Sequence, residues 1–407
     1  MIGEQDILEE GFKPLKKMPT EPIYLNNKGN AMNKMSAYTE IKAKAGYDTS
    51  SFMMMEKKRG KLLERSNSFI GQRYPVVSRD EVGCIIVVDP FSTGAHLALA
   101  VVEAGYKCGN LLSTWNSPVA SLVQEGLVMP EFAITIQHNS EDFDDNMAIN
   151  ETVNNIKALP FPIIAVIAGA ETGVSLADAV SDRLKLRSNG EESSLLRRNK
   201  YAMGEAIRQA GLRAVKQKLC TSLEEVENFI ATLDGSTIVL KPVQSAGSDD
   251  VFMCENFEEA ATAFSRIYLK INGLGMRNDS VLVQEFLSGK EYVIDQVSKD
   301  SIHKLCALWE YDKRQVNGAA FVYHGSKLLD PSNSVGQELI AYASNVLDAL
   351  SISHGPSHME CIFTNTGPCL VEVGSRCQGG NLSFFLLHYL SESIRFIFFF
   401  FKFTHVS

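Results

Sequence analysis

Three short apolar runs in the first half of the chain constrain its fold more than any other feature. They cover residues 84–88, 133–136 and 163–167, and segments with helical patterning separate them. Short continuous apolar runs are typical of buried strands, and strands that alternate with helices form parallel sheets with crossover helices. The sequence therefore predicts an α/β, Rossmann-like domain over residues 81–190.

Composition limits the class of partner. The chain has 407 residues, 45% of them hydrophobic, and a formal net charge of −9. A chain of this length can bury a large core and divide into two or three domains, and its acidity argues against nucleic-acid binding. Its eight cysteines form no Cys-x-x-Cys pair, which favours reduced thiols and a cytoplasmic protein. We expect small-molecule ligands and no membrane partner.

The two ends of the chain differ from its middle. Residues 1–80 are polar and lack periodicity, so we predict a mostly disordered N-terminal extension. Residues 191–381 read as a second, α+β domain with a lid over about residues 200–284. Residues 382–407 form a Phe-rich tail that is too short for a convincing membrane span. We interpret this tail as aberrant sequence that truncates the second domain.

A strand that ends in a lysine and runs into a small-residue loop predicts phosphate binding. Residues 238–241 are apolar up to Lys241, and the loop at residues 245–248 reads Ser-Ala-Gly-Ser. Small residues let backbone N–H groups approach a polyphosphate closely, although a plain hairpin turn with an exposed lysine is the alternative. Lys200, which opens a helix at the other margin of the lid, could supply a second ammonium group. The candidate phosphate ligands are Lys200, Lys241, Ser245, Ala246, Gly247 and Ser248.

The next apolar run, residues 281–286, reads as a strand of a larger sheet and predicts a hinge over a purine. Backbone groups of Phe286 and Leu287, after Glu285, could contact the adenine edge, and Glu291 could accept hydrogen bonds from ribose hydroxyls. The alternative is a hairpin with solvated glutamates.

Glu360 and Glu372 lie on consecutive predicted strands, which a turn at residues 364–368 joins. Antiparallel pairing could place the carboxylates side by side, where they repel unless a hard cation bridges them. Magnesium prefers carboxylate and phosphate oxygens, so the pair predicts a Mg-ATP site, with solvated strand ends as the alternative. Arg376, just beyond, could contact a phosphoryl group or a substrate carboxylate.

In this order, the motifs resemble the ATP-grasp superfamily, over roughly residues 83–381. Residues 171–174, 197–201, 311–313, 317–319 and 371–376 resemble the carboxylate–amine ligases that include L-amino-acid (dipeptide) ligases. The resemblance implies an ATP-grasp fold, in which a Rossmann-like N-terminal domain lies beside two α+β lobes that clamp ATP. It implies ATP and Mg2+ as cofactors, with Mn2+ as the alternative ion, and amino acids as substrates; a homodimer is left open.

The resemblance also implies a reaction. A substrate carboxylate would attack the γ-phosphate, and an amine would then attack the acyl phosphate. Arg376 would be the main electrostatic stabiliser, with Glu171, Lys313 and His358 as further candidates for substrate contact.

The chain departs from the superfamily at one motif. Many members have Asn-Pro where this chain has Gly374 and Ser375, so one expected metal ligand is missing. A biotin-dependent or purine-type ATP-grasp ligase is the alternative within enzymes. A non-catalytic ATP-binding protein is the alternative that the abnormal tail raises.

Overall fold

The computed structural model describes most of the chain between residues 82 and 379. The described ranges are 82–113, 129–140, 145–233, 237–245, 250–273, 275–316 and 319–379, together with a short strand pair, Tyr24–Leu25 with Ala31–Met32. The predictions for residues 1–80 and 382–407 fall almost wholly outside this description. The predicted domain boundaries stay predictions.

The first part of the fold is a parallel sheet, as the three apolar runs predict, and it contains a fourth strand, Lys107–Leu112, that those runs did not include. Its central strand, β1, has five residues that are all fully buried, because both of its faces carry helices. The strand order is β3-β2-β1-β4. All four strands are parallel, but β2 and β3 lie on one side of β1 and β4 lies on the other, so the order of strand addition reverses between β1 and β4. The elements are β1 (Cys84–Val88), α1 (Thr93–Glu103), β2 (Lys107–Leu112), β3 (Ile134–Gln137), α2 (Asn146–Lys157), β4 (Ile163–Ala168) and α3 (Val174–Arg183).

A buried carboxylate ties the strand ends together at that reversal point. Asp89, directly after β1, accepts hydrogen bonds from the Ser113 backbone N–H at 2.8 Å, the Ser113 hydroxyl at 2.5 Å and the Thr172 hydroxyl at 2.5 Å. The start of α1 packs against the end of β4 so closely that a Cβ on Gly94 would lie 2.6 Å from the Gly169 carbonyl oxygen. The turn after β4, which carries Glu171, is therefore held rigidly.

Two short helices lead from the parallel sheet to a small antiparallel sheet that forms the lid. The helices are α4 (Ser194–Arg198) and α5 (Lys200–Gln209), and the Asn199 side chain caps α5 by accepting from the Ala202 N–H at 2.9 Å. The lid elements are β5 (Gln217–Cys220), α6 (Leu223–Ala231), β6 (Ile238–Pro242), β7 (Phe252–Cys254), α7 (Phe257–Ile267) and β8 (Val281–Glu285).

The lid strands are ordered β5-β8-β6-β7. Strand β8 thus lies in the lid, where its residues pair with both β5 and β6. The sequence reading that assigned residues 281–286 to the larger sheet is wrong, because an apolar run shows that a strand is buried but not in which sheet it lies.

The largest sheet has five antiparallel strands in the order β11-β10-β9-β12-β13, with α8 packed on one face. Its elements are β9 (Lys290–Lys299), β10 (Ile302–Val316), β11 (Ala319–Leu328), α8 (Ser334–Ala349), β12 (Gly355–Thr364) and β13 (Gly367–Gly374). The sequence patterning missed β11. The opposite face of the sheet carries the acids Glu291 and Glu360 together with an apolar cluster of Val293, Ala307 and Trp309.

No helix among the described residues is long and apolar enough to cross a bilayer. The eight cysteines are all free thiols, as their spacing predicts.

Candidate active site

The three sheets meet around one cavity of about 690 Å³. Every sequence-predicted site residue that the structure describes lines it, whereas Ala246, Gly247 and Ser248 lie outside the described residues. The lining candidates are Glu171, Lys200, Lys241, Ser245, Glu285, Phe286, Leu287, Glu291, Lys313, His358, Glu360, Glu372 and Arg376.

Two ammonium groups enter the cavity from the lid side. Lys200 Nζ lies 3.0 Å from a Glu372 carboxylate oxygen and donates to the Ser245 carbonyl at 2.8 Å. Lys241 projects from β6 and is 5% exposed, and within the described residues no carboxylate lies within ion-pair distance of it. Burial, followed by the charge of Lys200, lowers the pKa of Lys241 from 10.5 to about 8. An anion in the cavity would relieve this unfavourable charge.

Two carboxylates face each other on the opposite wall. Glu360 on β12 pairs directly with Glu372 on β13, and a register shift follows immediately after Glu360. Glu360 also receives a long contact of 3.4 Å from Lys313 Nζ. Burial opposes the ionisation of Glu360, but the His358 and Lys313 cations outweigh it and hold the pKa of this carboxyl well below its usual range.

Lys313 joins Glu360 to a third acid. Its Nζ donates to Glu291 at 2.5 Å. Burial, together with the nearby negative charge of Glu360, raises the pKa of Glu291 to about 7. Glu291, the predicted ribose ligand, is therefore already bonded to Lys313. Lys313 also contacts Glu360, a predicted metal ligand.

Asp295, which was not among the predicted site residues, orients the His358 imidazole. Its Nδ1 lies 2.8 Å from Asp295 Oδ1, and Trp309 Nε1 donates to the other Asp295 oxygen at 2.9 Å. The His358 Nε2 lies 3.7 Å from Glu360 Oε1. Burial opposes protonation of the imidazole, but the bonds to the two acids prevail and raise the pKa of His358 to about 9.

At the end nearest the parallel sheet, Arg376 meets Glu171. The Arg376 Nε donates to Glu171 Oε2 at 2.8 Å, and the other oxygen of Glu171 accepts from Arg198. Burial opposes ionisation of Glu171, but Arg376 and Arg198 lower the pKa of this carboxyl from 4.5 to about 2. Arg198 lies in the segment 197–201 that carries the family resemblance, but the sequence alone predicted no role for it.

The predicted hinge is partly occupied by protein contacts. The Glu285 carboxylate accepts from the Lys216 backbone N–H at 2.8 Å, and the Phe286 N–H donates to the Thr237 carbonyl at 3.0 Å. The Phe286 N–H is therefore not free to contact a base, contrary to the simplest form of the prediction. No hydrogen bond of the Leu287 N–H is recorded within the described part of the chain.

The donor set fits a magnesium ion that shares its coordination with phosphate. Two facing carboxylates with lysines alongside suit an ion that keeps several waters and takes substrate oxygens. No group of three or more His, Cys, Asp or Glu ligands occurs among the described residues, so these residues offer no all-protein cage.

Some further lining residues were not among the predicted site residues. Gln378 is buried, lies just after Arg376 and donates to the Tyr311 hydroxyl at 3.0 Å. Phe91 and Ser92, in the turn after β1, and Thr93, the first residue of α1, also line the cavity. In the sequence, the strand, turn and helix order of this segment is only a weak sign of a nucleotide-binding turn, because it has one glycine and no Gly-x-Gly-x-x-Gly motif. The order of strands in the parallel sheet, which places a crevice between β1 and β4, is the stronger indication.

Comparisons with known proteins agree with this geometry. A family model described as an ATP-grasp domain matches residues 198–380. The chain is 34% identical over 303 residues to dapdiamide A synthase of Enterobacter agglomerans, covering 73% of this chain and 68% of that protein. It is 25% identical over 228 residues to an L-arginine-specific L-amino acid ligase of Bacillus subtilis, covering 54% of this chain and 53% of that ligase.

A solved structure shows the same fold. An L-amino acid ligase from Bacillus licheniformis superimposes with a TM-score of 0.58 at 16% identity, covering 75% of this chain and 70% of that chain. The predicted fold, family and ligase class are thereby confirmed. The chain belongs to the ATP-grasp superfamily, within the ATP-dependent carboxylate–amine ligases that act on amino acids.

Proposed function

We propose that this protein joins the carboxylate of one amino acid to the amine of a second, with ATP converted to ADP and phosphate. The observation that carries the proposal is the convergence of Lys200, Lys241, Glu360, Glu372 and Arg376 on one cavity. The names of the relatives support amino-acid substrates, because they include an L-arginine-specific L-amino acid ligase and an alanine–anticapsin ligase.

The residues at the nucleotide end neutralise and orient the triphosphate. Lys241 and Lys200 bind phosphate oxygens from the lid side, and Ser245 to Ser248 cover the phosphates. Leu287, with Glu285 and Phe286 around it, holds the base, while Glu291 binds the ribose. Glu360 and Glu372 hold Mg2+, with Mn2+ as a substitute, and the ion supplies charge neutralisation of the transferring phosphoryl group.

The residues at the opposite end bind and activate the acid. A carboxylate does not react with an amine unaided at neutral pH. Its attack on the γ-phosphorus forms a new O–P bond, breaks the bond between the γ-phosphorus and the oxygen that bridges to the β-phosphate, and releases ADP. The resulting acyl phosphate has phosphate as a good leaving group. Attack by the amine forms the C–N bond, breaks the C–O bond to phosphate and releases a proton. Arg376 stabilises the charge that develops at the phosphoryl and carbonyl oxygens. Lys313 and His358 orient the substrate, and the lid excludes water.

A cytoplasmic location and small-molecule partners belong to the same proposal. Eight free thiols, seven of them buried, support a reducing compartment. The dimer stays open as a prediction.

The test measures phosphate release from Mg-ATP in the presence of pairs of amino acids, with the condensation product identified by mass spectrometry. We expect release that requires both amino acids and falls about 1,000-fold in Glu372→Ala, because this carboxylate is one of two protein anions facing the metal. The matched control is Glu310→Ala, an acid on β10 whose lysine partner, Lys290, lies outside the cavity. Nucleotide binding without turnover for any amino-acid pair would support the non-catalytic alternative instead.

A further inference from the structure

Glu171, from another part of the fold, anchors Arg376. In the proposed function, Arg376 supplies the stabilising positive charge. Glu171 lies in the turn after β4 of the parallel sheet, whereas Arg376 follows β13 of the large antiparallel sheet. The Arg376 Nε donates to Glu171 at 2.8 Å, and its Nη1 donates to the Cys377 carbonyl at 3.0 Å. These bonds orient the guanidinium, and because Nη2 has no hydrogen-bond partner among the described residues, it can donate to a ligand in the cavity.

The turn that presents Glu171 is rigid for reasons already described. The adjacent Thr172 hydroxyl is bonded to the buried Asp89 carboxylate at 2.5 Å. A Cβ at Gly173 would lie 2.7 Å from the Val88 carbonyl oxygen, so this turn packs directly on β1. Arg198 holds the second oxygen of Glu171. Two arginines thus hold the Glu171 carboxylate, and the packing of Thr172 and Gly173 holds the turn that carries it.

Gly374 provides the space that this contact needs. A Cβ at Gly374 would lie 2.9 Å from Glu171 Oε2, 3.2 Å from Arg376 Cζ and 3.3 Å from Arg376 Nε. Any side chain at position 374 would therefore occupy the place where the carboxylate and the guanidinium meet. Gly374, at the end of β13, therefore leaves room for Glu171, in the turn after β4, to reach Arg376.

We propose that Glu171 is a positioning residue that orients Arg376 for the substrate carboxylate and the transferring phosphoryl group, and that Gly374 is glycine to admit this contact. The inference deepens the proposed function and rests on it for its kinetic readout. Glu171 then acts through Arg376, in place of the direct substrate contact that the sequence alone predicted for it.

The decisive variants are Glu171→Gln and Gly374→Ala. The first keeps the shape but removes the charge, and the second pushes the flexible end of Glu171 away without changing any charge. We expect each to raise the KM for the carboxylate substrate or lower kcat by about tenfold or more, with the KM for ATP changed by less than about threefold. In the double variant Glu171→Gln with Arg376→Lys, the loss should be no larger than in Arg376→Lys alone, because both changes remove one interaction.

A matched control comes from a second acid with the same type of partner. Glu191 accepts from Arg183 Nε at 2.9 Å and from a second nitrogen of the same guanidinium, but neither residue lines the cavity. Glu191→Gln should leave all kinetic constants unchanged. Glu171→Asp, which retains the charge but shortens the side chain, serves as the variant that folds if Glu171→Gln does not.

A structural readout separates this inference from the proposed function. In a crystal structure of Glu171→Gln, we expect the Arg376 guanidinium to move by about 1 Å or more from its wild-type place. If the wild-type protein forms no amide with any amino-acid pair, the proposed function fails, and the guanidinium position alone then decides the positioning role. An unmoved guanidinium, or losses that multiply in the double variant, would overturn the inference.

Discussion

Two lysines line the cavity from opposite walls, and their surroundings differ sharply. Lys313, on the large sheet, lies 2.5 Å from Glu291 and 3.4 Å from Glu360. Lys241, on the lid, is more deeply buried but has no carboxylate within ion-pair distance among the described residues, and its pKa falls to about 8. The sheet wall pairs its lysine with acids at contact distance, whereas Lys241 on the lid experiences Glu372, Glu360 and Glu291 only at longer range and would gain most from a bound anion.

The difference separates a structural cation from a binding cation. A buried ion pair that loses one partner leaves an uncompensated charge, which is costly. A buried cation without a close partner lowers the free energy of unfolding of the empty protein, and a bound anion removes this penalty and so gains affinity. Lys241 is therefore the stronger candidate for triphosphate binding. Lys313 holds the two acids beside it in place and favours their ionised forms, although burial and Glu360 still raise the pKa of Glu291 to about 7.

The largest expected effect is on the use of ATP by Lys241→Met. We expect kcat/KM for ATP to fall about 1,000-fold, because the substitution removes a desolvated charge that faces the phosphates. The measurement is phosphate release at varied ATP, with Lys270→Met, on the lid but outside the cavity lining, as the control. Retention of a tenth of the activity would contradict the distinction between the two lysines.

The same two lysines should have opposite effects on the stability of the empty protein. Lys313→Met leaves Glu291 and Glu360 without their shared cation and should lower the free energy of unfolding by about 2 kcal/mol. Lys241→Met removes an unfavourable charge and should leave stability unchanged or increase it by about 1 kcal/mol. Urea titrations without nucleotide at pH 7 provide the comparison. Equal destabilisation by both variants would show that Lys241 is also neutralised within the protein.

The depressed pKa of Lys241 predicts a pH dependence with a defined sign. Above pH 8 this lysine is neutral in the folded protein but still charged in the unfolded chain, so its contribution to stability rises with pH between about 8 and 10.5. Binding of ADP requires the charged form, so the affinity should fall about tenfold between pH 7 and pH 9. Calorimetric titration measures this slope. Lys241→Arg should abolish it, and an unchanged slope in that variant would assign the titration to another group.

The smallest effect concerns the helix that carries Lys200. Asn199→Ala removes the cap of α5 and should cost about 1 kcal/mol of stability, with at most about a threefold loss of ATP affinity. The matched control is Asn256→Ala, which removes an equivalent cap from α7, where the Asn256 side chain accepts from the Glu259 N–H at 2.9 Å. The control should lose the same stability with no change in affinity. A large loss of affinity in Asn199→Ala would mean that Lys200, not Lys241, dominates phosphate binding.

Local patterns predicted the parts of the fold and site that depend on neighbouring residues. The turn at residues 364–368 predicted that the last two strands pair, and alternating apolar runs identified the parallel sheet. The register of that turn alone would place Glu360 opposite Val371, and the register shift between Glu360 and Cys361 brings it opposite Glu372 instead. The pair between Glu171 and Arg376 spans 205 residues, and no local pattern encodes such a contact. The placement of β8 was wrong for the same reason, because its sheet partners are distant in sequence.

The lysine contacts of the two facing acids have a consequence for the order of binding. Glu372 already has Lys200 as its counter-ion, and Glu360 has Lys313, so the empty pair is not an open double anion waiting for a divalent cation. We expect uncomplexed Mg2+ to bind weakly to the ligand-free protein. When the triphosphate arrives, Lys200 can exchange its acid for a phosphate oxygen, which frees Glu372 for the ion. Metal and nucleotide should therefore enter as one complex, and each should increase the affinity for the other.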